Sequence, residues 1–320
     1  VTSPSSAQVP AMPSRRSLHI LVSSMSAAGR SVKVAPQVAR ILNTGGWKVA
    51  ATVTTVSEDP RSIAAHVREN VVAAIGGDGY LAAVARGCHD SGKLFVPIPG
   101  GRGNDLCRSL GIGVDPLARA RSLAPFGVII DEDEAGDFHA RIRPLDGMWV
   151  DDGNGESQLV LGIVSLGLDA TANLIANESS INAGPLAYGY GAFSALRSYK
   201  PTRIRARVDG VQRDLSGWIA SVSNSGCFGG GVRLTADSDP HDGHIELCHV
   251  GNMPLSRAIP YLAKAVAVRT GVDESILTVT RVSHVEFLEA HGIVAMADGD
   301  RVATAPFTVE AAPHVVDVLV

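Results

Sequence analysis

Short apolar runs without polar alternation, separated by helical stretches, fill the chain from Leu18 to about Leu123. Leu18–Val22, Lys48–Val56, Val71–Ile75 and Leu94–Ile98 read as strands. Val34–Leu42, Arg61–Arg68 and Tyr80–Arg86 read as helices between them, and Leu106–Leu110 as the start of another. A strand apolar on both faces must be covered on both, and strands joined through helices run parallel. The stretch is therefore expected to be a doubly wound α/β domain. After about residue 125 the pattern changes. Gln158–Ser165, Arg203–Val208, Gly217–Val222, His244–Val250, Arg281–Glu289 and Ile293–Ala297 read as strands, with Pro185–Tyr199 and Leu255–Arg269 as helices. Asp209-Gly210 and His291-Gly292 read as hairpin turns. A second, mostly antiparallel domain is expected there, a β-sandwich.

Composition excludes several classes. With 28 Lys+Arg against 32 Asp+Glu the chain carries a formal net charge of −4, which argues against nucleic acid as its main partner. No run approaches the roughly 18–20 apolar residues of a transmembrane segment. Cys88, Cys107, Cys227 and Cys248 form no C-x-x-C pair and read as reduced, buried thiols. Residues 1–16 read as a disordered lead-in. Ser14-Arg15-Arg16-Ser17-Leu18 resembles a twin-arginine export signal, but only Ile20-Leu21-Val22 follows before serines intrude, too short for an h-region. A cytoplasmic protein is expected.

Two glycine-rich turns each follow a predicted parallel strand: Ile75-Gly76-Gly77-Asp78-Gly79-Tyr80 and Pro99-Gly100-Gly101-Arg102-Gly103-Asn104-Asp105. Open α/β sheets bind ligands at the carboxyl ends of their strands. Glycine lets the backbone approach a phosphate, and the helix that follows aims N–H groups and partial positive charge at it. Two such turns would cradle a nucleotide triphosphate; taken singly, each could simply be a tight turn with Asp105 as helix cap. Gly77-x-Gly79-x-x-Ala82 fits a dinucleotide fingerprint on paper, but Asp78 would then set a carboxylate beside the pyrophosphate. An Asp in a phosphate loop suits Mg²⁺, which bridges carboxylate and phosphate oxygens. In the second domain Asp239 and Asp242 could hold a divalent cation or belong to an ordinary Asp-Gly turn. The EF-hand spacing is off by one.

Taken in order, G-G-D-G (Gly76–Gly79), P-x-G-x-x-N-D-x-x-R-x-L-G-I (Pro99–Ile112), N…G-G-G (Asn224–Gly231), D-x-x-D-G (Asp239–Gly243) and a late D-G-D (Asp298–Asp300) resemble the diacylglycerol kinase catalytic family, which includes bacterial lipid kinases and sphingosine kinases. Gly184–Tyr188 resembles that family's G-x-L-x-Y helix start. The resemblance implies an ATP- and Mg²⁺-dependent lipid kinase that phosphorylates a hydroxyl of diacylglycerol or a related lipid, with a place in phospholipid biosynthesis. It implies an α/β domain over 17–125, completed by about 303–320, and a β-sandwich over 126–302.

By the same resemblance Gly76, Gly77, Asp78, Gly79, Tyr80, Gly101, Arg102, Asn104 and Asp105 would bind the nucleotide, with Thr54 or Thr55 nearby. Asp298 would be the general base and Asp78 would join the Mg²⁺–phosphate network. Asp239, Asp242 and a carbonyl near His244 would hold a structural Mg²⁺. The partner would be a lipid at the membrane surface, reached by peripheral association, and a homodimer is the assembly to test. The chain also departs from the family: Ser23–Gly29 reads SSMSAAG where N-P-x-S-G is usual, Tyr80 and Arg102 stand for threonines, and Ala82-Ala83 for Asn-Glu. Arg102 could replace hydrogen bonds to phosphate by a charge-assisted contact, and Tyr80 could fill part of the cleft. Two other readings stand beside the lipid kinase: a kinase for a non-lipid hydroxyl, and a non-catalytic nucleotide- or lipid-binding relative. Arg203, Arg205 and Arg207 share one strand face, suited either to anionic headgroups or simply to solvent.

Overall fold

The computed structural model describes residues 14–129, 137–168, 170–171, 201–228, 231–233, 235, 238–254, 256–257, 260, 275–290, 293–298 and 300–320. In chain order the first unit holds β1 (Ser14–Arg15), β2 (Ser17–Ser23), α1 (Arg30–Thr44), β3 (Lys48–Thr54), α2 (Pro60–His66) and β4 (Val71–Gly76). It continues through α3 (Asp78–Ser91), β5 (Leu94–Pro99), α4 (Asp105–Ser109), α5 (Pro116–Leu123) and β6 (Val128–Ile129). The strands β2, β3, β4 and β5 are parallel, in the order β3-β2-β4-β5. Successive side chains of a strand point to opposite faces, and both faces are covered. Ile20, Val22, Ile75 and Ile98 pack with Val38 and Leu42 of α1 and Leu123 of α5. Leu21, Val72, Ala74 and Phe95 pack with Ala64 of α2 and Leu81 and Val84 of α3. Burying each Leu, Ile or Val contributes roughly 1.5–3 kcal/mol, so this doubly covered sheet explains the continuous apolar runs. The winding reverses between β2 and β4, which opens a crevice beyond their carboxyl ends.

The second unit holds β7 (Ile142–Asp151), β8 (Gln158–Val160), β9 (Ile163–Gly167), β10 (Ile204–Val208), β11 (Val211–Asp214) and β12 (Gly217–Ser223). A short pair follows, β13 (Cys227–Phe228) and β14 (Val232–Arg233), then β15 (Ile245–Gly251), β16 (Leu277–Val282), β17 (His284–Ala290), β18 (Val294–Ala297), β19 (Asp300–Thr304) and β20 (Phe307–Leu319). One antiparallel layer runs β16-β15-β12-β9-β18-β19. Its Val164, Leu166, Val222 and Leu247 face Met148, Phe287 and Val309 of a second layer built on β7, β8, β10, β17 and β20. An N-terminal α/β unit with a parallel sheet followed by an antiparallel sandwich is thus the architecture.

The long last strand joins the two units. β20 pairs antiparallel with β17 at Phe307–Glu310 and with β7 from Thr308 to Leu319, and Val318 pairs parallel with Phe95 of β5. Its register with β7 shifts between Ala312 and Val316. Pro313 has no N–H to donate there, and His314 takes a φ of 49°. Asp146 holds this bulge: one carboxylate oxygen accepts from His314 N (2.7 Å) and the other from Gly243 N (2.6 Å).

Three expectations need correction. Gln158–Ser165 is two strands in different layers, because the chain crosses at Leu161-Gly162 between β8 and β9. Arg281–Glu289 likewise divides at Ser283, where the N–H groups of Ser283 and His284 both donate to Asp209 Oδ1 (3.0 and 2.9 Å). The proposed hairpin at His291-Gly292 fails, since β17 and β18 belong to different layers; those two residues themselves lie outside the described set. In each case both layers face one apolar core, so the hydrophobic pattern runs through the crossing without a break. Asp209-Gly210 does turn a hairpin, with φ of 45° and 82°. Ser14–Arg16, expected in the lead-in, are ordered: β1 pairs with β6 and the Arg16 guanidinium stacks on Phe138, 4.2 Å from its ring centre. Val1–Pro13, Gly184–Tyr188, the helix expected over Pro185–Tyr199 and most of that over Leu255–Arg269 lie outside the described residues. All four cysteines are buried and free. Among the described residues no helix is long and apolar enough to cross a membrane.

Candidate active site

The two glycine turns touch. β4 ends at Gly76, with Gly77 capping α3, and Gly100 N donates to Gly76 O (2.9 Å). A methyl group on Gly101 would lie 2.5 Å from Gly77 Cα, so the approach of the two backbones requires glycine there. Asn104 locks the second turn. It takes a left-handed conformation (φ 54°), its Oδ1 accepts from Gly101 N (2.8 Å) and its Nδ2 donates to Gly101 O (3.1 Å). Asn tolerates that conformation better than most residues because its side chain can bond its own turn. The loop after β2 closes the third side, with Ser26 Oγ accepting from Gly77 N (3.0 Å). The sequence-predicted glycines and Asn104 therefore meet at the sheet's switch point.

Four carboxylates converge beside these turns. Asp78 opens α3 and its Oδ1 accepts from Leu106 N at the start of α4 (3.1 Å). Burial, reinforced by the charge of Asp105, pushes the Asp78 carboxyl up to about 6 despite that bond. Asp105 reaches across to the sandwich, where its Oδ1 accepts from Gly231 N (2.7 Å). Asp298 follows β18 with φ 50°, a left-handed backbone uncommon for a non-glycine residue. Burial, then the charges of Asp78, Asp105 and Asp300, raise its carboxyl well above the ordinary range. Asp300 is raised by burial. Absent side chains make room for both loop aspartates, across the two units at Gly79 and within the sandwich at Gly162. A methyl on Gly79 would stand 3.3 Å from Asp300 Oδ2, and one on Gly162 only 2.5 Å from Asp298 Oδ1.

Thr54, at the end of β3, meets Tyr80 in the first turn of α3. Thr54 is buried and its hydroxyl donates to Tyr80 OH (3.0 Å), while the Tyr80 ring covers Gly76 so closely that a methyl there would lie 2.5 Å from it. Burial pushes the Tyr80 phenol up to about 12. Thr55 is exposed, and its hydroxyl and N–H both bond Glu58 Oε2 (2.8 and 2.7 Å). Arg102 projects at the exposed edge of the second turn.

Asp239, Asp242 and His244 of the second domain lie together in one turn, with Asp242 N donating to Asp239 O (3.3 Å). Asp239 Oδ1 accepts from His241 N (3.1 Å), Asp242 Oδ1 from His244 N (3.0 Å), and Asp242 Oδ2 pairs with Arg281 (3.0 Å). Among the described residues no three His, Cys, Asp or Glu side chains form a ready metal cage. On β10 Arg205 pairs with Glu289 and Arg207 with Glu286, so two of that face's three arginines are neutralised by β17.

A cleft of about 280 Å³ opens onto Asp298 and Asp300. One wall is a face of α3 (Gly79, Ala82, Ala83 and Arg86); others are Leu159 and Val160 of β8, with Arg61 and Glu156 also lining it. Sequence reading missed Gly162, which sits in an apolar run with no turn signal, and Asn224's role behind it. Asn224 N donates to Gly162 O (2.9 Å) and its Nδ2 to Leu161 O (3.0 Å), pinning the crossing that faces Asp298. Gly162→Ala is expected to displace the Asp298 carboxylate, as a crystal structure of the variant would show.

Known proteins agree with this architecture. The model of the diacylglycerol kinase catalytic domain matches residues 17–126, and that of the YegS C-terminal NAD kinase beta sandwich-like domain matches residues 162–320. A diacylglycerol kinase of Mycobacterium tuberculosis (strain ATCC 25618 / H37Rv) is 26% identical over 308 residues, 93% of each chain. A diacylglycerol kinase of Bacillus subtilis (strain 168) is 27% identical over 230 residues, 69% of each. The crystal structure of a diacylglycerol kinase from Bacillus anthracis (strain Sterne) superposes with a TM-score of 0.67 at 14% identity, covering 95% of this chain and 96% of that one, a likeness of fold. With both consecutive domains matched, in the order in which their motifs meet at one carboxylate-lined crevice, the chain belongs to the diacylglycerol kinase catalytic family.

Proposed function

We propose that the protein is a lipid kinase that transfers the γ-phosphate of ATP to a hydroxyl of a diacylglycerol-like lipid. One observation carries this reading: Asp78, Asp105, Asp298 and Asp300, drawn from both units, crowd beside two glycine turns with their charges mutually repelling. Like-charged carboxylates buried together favour a counter-charge beside them. Mg²⁺, which is usually held by one or two carboxylates together with substrate phosphates, fits this donor set. Asp78 and Asp105 would hold it, and it would supply charge neutralisation on the transferring phosphoryl group.

The chain's own residues do the rest. The Gly76–Gly79 and Gly100–Asn104 turns bring backbone N–H groups to the phosphates, positioned by Asn104 and Ser26. The acceptor hydroxyl enters the cleft at Asp298, whose raised affinity for a proton suits it to take that of the hydroxyl. Phosphoryl transfer asks mainly for positioning and charge stabilisation, which rigid strand ends provide. Tyr80 and Thr54 narrow the nucleotide side. A lipid acceptor implies transient contact with a membrane surface.

The test is Mg²⁺-dependent transfer of labelled γ-phosphate from ATP into lipids in mixed micelles, with Asp78→Asn and Asp298→Asn as controls. Labelling of a lipid that both substitutions abolish is expected. ATP binding without labelling of any acceptor would instead mark a non-catalytic binder.

A further inference from the structure

Beside Asp78 and Asp105 the sandwich reaches the α/β unit through a short arm. β13 and β14 form a two-stranded sheet of their own, with Cys227 opposite Arg233 and Phe228 opposite Val232. A pair of strands is marginally stable alone, so its order depends on what it packs against, and β13 packs on α4. That helix grips Gly231, the residue just before β14. Gly231 N donates to Asp105 Oδ1 (2.7 Å). Gly231 has φ 92°, and a methyl group there would stand 3.1 Å from Arg108 Cδ and Nε and 3.2 Å from Arg108 Cζ. The arginine side chain therefore lies along the Gly231 backbone.

Arg108 is itself anchored on the second glycine turn. Its N–H donates to Asn104 O (3.1 Å) and its Nε to Gly103 O (3.3 Å). Gly103 is also where Asp78 and Asp105 meet: a methyl there would lie 3.2 Å from Asp78 Oδ2 and 3.3 Å from Asp105 Oδ2. These two oxygens thus face one space, while Asp78 Oδ1 accepts from Leu106 N and Asp105 Oδ1 from Gly231 N. The Gly231 bond fixes how the Asp105 carboxylate is turned, with Oδ2 on the Asp78 side. Arg108 braces the residue that makes that bond.

Resting on the reading that Asp78 and Asp105 would hold Mg²⁺, we infer that Arg108 is a positioning residue for that pair. By bracing Gly231 against α4 it keeps the Gly231 N–H on Asp105 Oδ1, and so keeps Asp105 Oδ2 turned toward Asp78. Partners that orient a ligating carboxylate typically govern about 10–100-fold in metal affinity. Position and charge predict opposite signs here. A guanidinium close to a cation site repels the cation, so an arginine acting through its charge would, when removed, let the cation bind more tightly. An arginine acting through position must, when removed, let it bind more weakly.

The test needs no turnover. Mn²⁺, which takes the same oxygen ligands as Mg²⁺, is titrated into the full chain with a non-hydrolysable ATP analogue and no acceptor, and free Mn²⁺ is read by electron paramagnetic resonance. Arg108→Ala is expected to weaken Mn²⁺ binding about tenfold or more. Arg108→Gln, which keeps most of the stem, is expected to weaken it in the same direction. The melting temperature and the metal-free affinity for the analogue are expected to stay as in wild type, which a general loosening of the fold would not allow. A second readout uses the metal-free chain: the Gly231 amide, bonded to Asp105, is expected to exchange with solvent about tenfold faster in Arg108→Ala. Mn²⁺ binding by both variants that equals or exceeds that of wild type overturns the inference, as does unchanged Gly231 exchange. If wild type binds Mn²⁺ and the variants match it, the inference alone fails. If wild type binds no Mn²⁺, the assignment of Asp78 and Asp105 as the cation pair fails and takes the inference with it.

Discussion

Asp298→Asn is expected to cut kcat by about 10²–10⁴, the range a positioned general base contributes, while nucleotide affinity changes little. Asn suits the position because it accepts the left-handed backbone (φ 50°) that Asp298 already occupies. Loss of activity in that variant therefore reports the carboxylate and not a broken turn, which circular dichroism and an unchanged melting transition at low pH would verify. The pH profile follows from the same residue. A base works only when deprotonated, and burial together with Asp78, Asp105 and Asp300 raises the Asp298 carboxyl well above the ordinary range. The acid limb of kcat/KM is thus expected above the usual carboxylate range, with activity rising as pH increases through it. A limb near pH 4 would show that Asp298 is not the base. Saturating Mg²⁺ should move the limb downward, because added positive charge favours the ionised form.

Asp78→Asn is expected to abolish transfer yet stabilise the free protein at neutral pH. The carboxyl of Asp78 stands near 6 in the folded chain against an ordinary value of 3.8. A folded-state pKa above the unfolded one means that ionisation opposes folding. Below about pH 4 both states hold the proton and nothing is lost; the penalty grows between about 4 and 6 and is complete above 6. Two pH units correspond to a penalty on the order of 2–3 kcal/mol. Urea unfolding of wild type and Asp78→Asn should diverge by that order at pH 7 and converge at pH 4. The Asn carbonyl can still accept from Leu106 N, so the helix contact survives. A destabilised variant at pH 7 would mean that Asp78 is already compensated in the free protein. Stability and function oppose one another at this site, as they do wherever like charges are crowded for catalysis.

Much of the first domain could be read from the chain because its physics is local. A strand buried on both faces must be apolar throughout, and a glycine turn into a helix leaves a recognisable mark, so Val71–Ile75 and Leu94–Ile98 with their turns were found almost to the residue. The sandwich was less legible for an equally physical reason. Its two layers share one core, so a strand that leaves one layer and joins the other keeps the same apolar pattern. The crossings at Leu161-Gly162 and Ser283 are therefore invisible to periodicity. They are set by distant partners, Asn224 for one and Asp209 for the other. Thr54 and Thr55 show the same limit at a finer scale: adjacent and chemically alike, they differ only in that the end of β3 turns one toward Tyr80 and the other toward Glu58.

What the residues alone determined was local: glycine turns at the ends of parallel strands, and aspartates placed in those turns and in late loops. Those features depend on neighbours a few residues away. What only the tertiary structure decided was which aspartates act together. Asp78 and Asp298 are 220 positions apart in the chain, yet the charge of Asp78 raises the affinity of Asp298 for a proton because the sandwich carries Asp298 back against Gly79. Asp239 and Asp242, as prominent in the sequence, lie in a turn of their own, where Asp242 also pairs with Arg281. The ion pairs of Arg61 and Arg86 with Asp90 and Glu156 likewise exist only because α2 packs on α3 and β8 lies alongside. Charge interactions depend on distance and burial, and for residues far apart in the chain both quantities come into being only when the two domains close on one another.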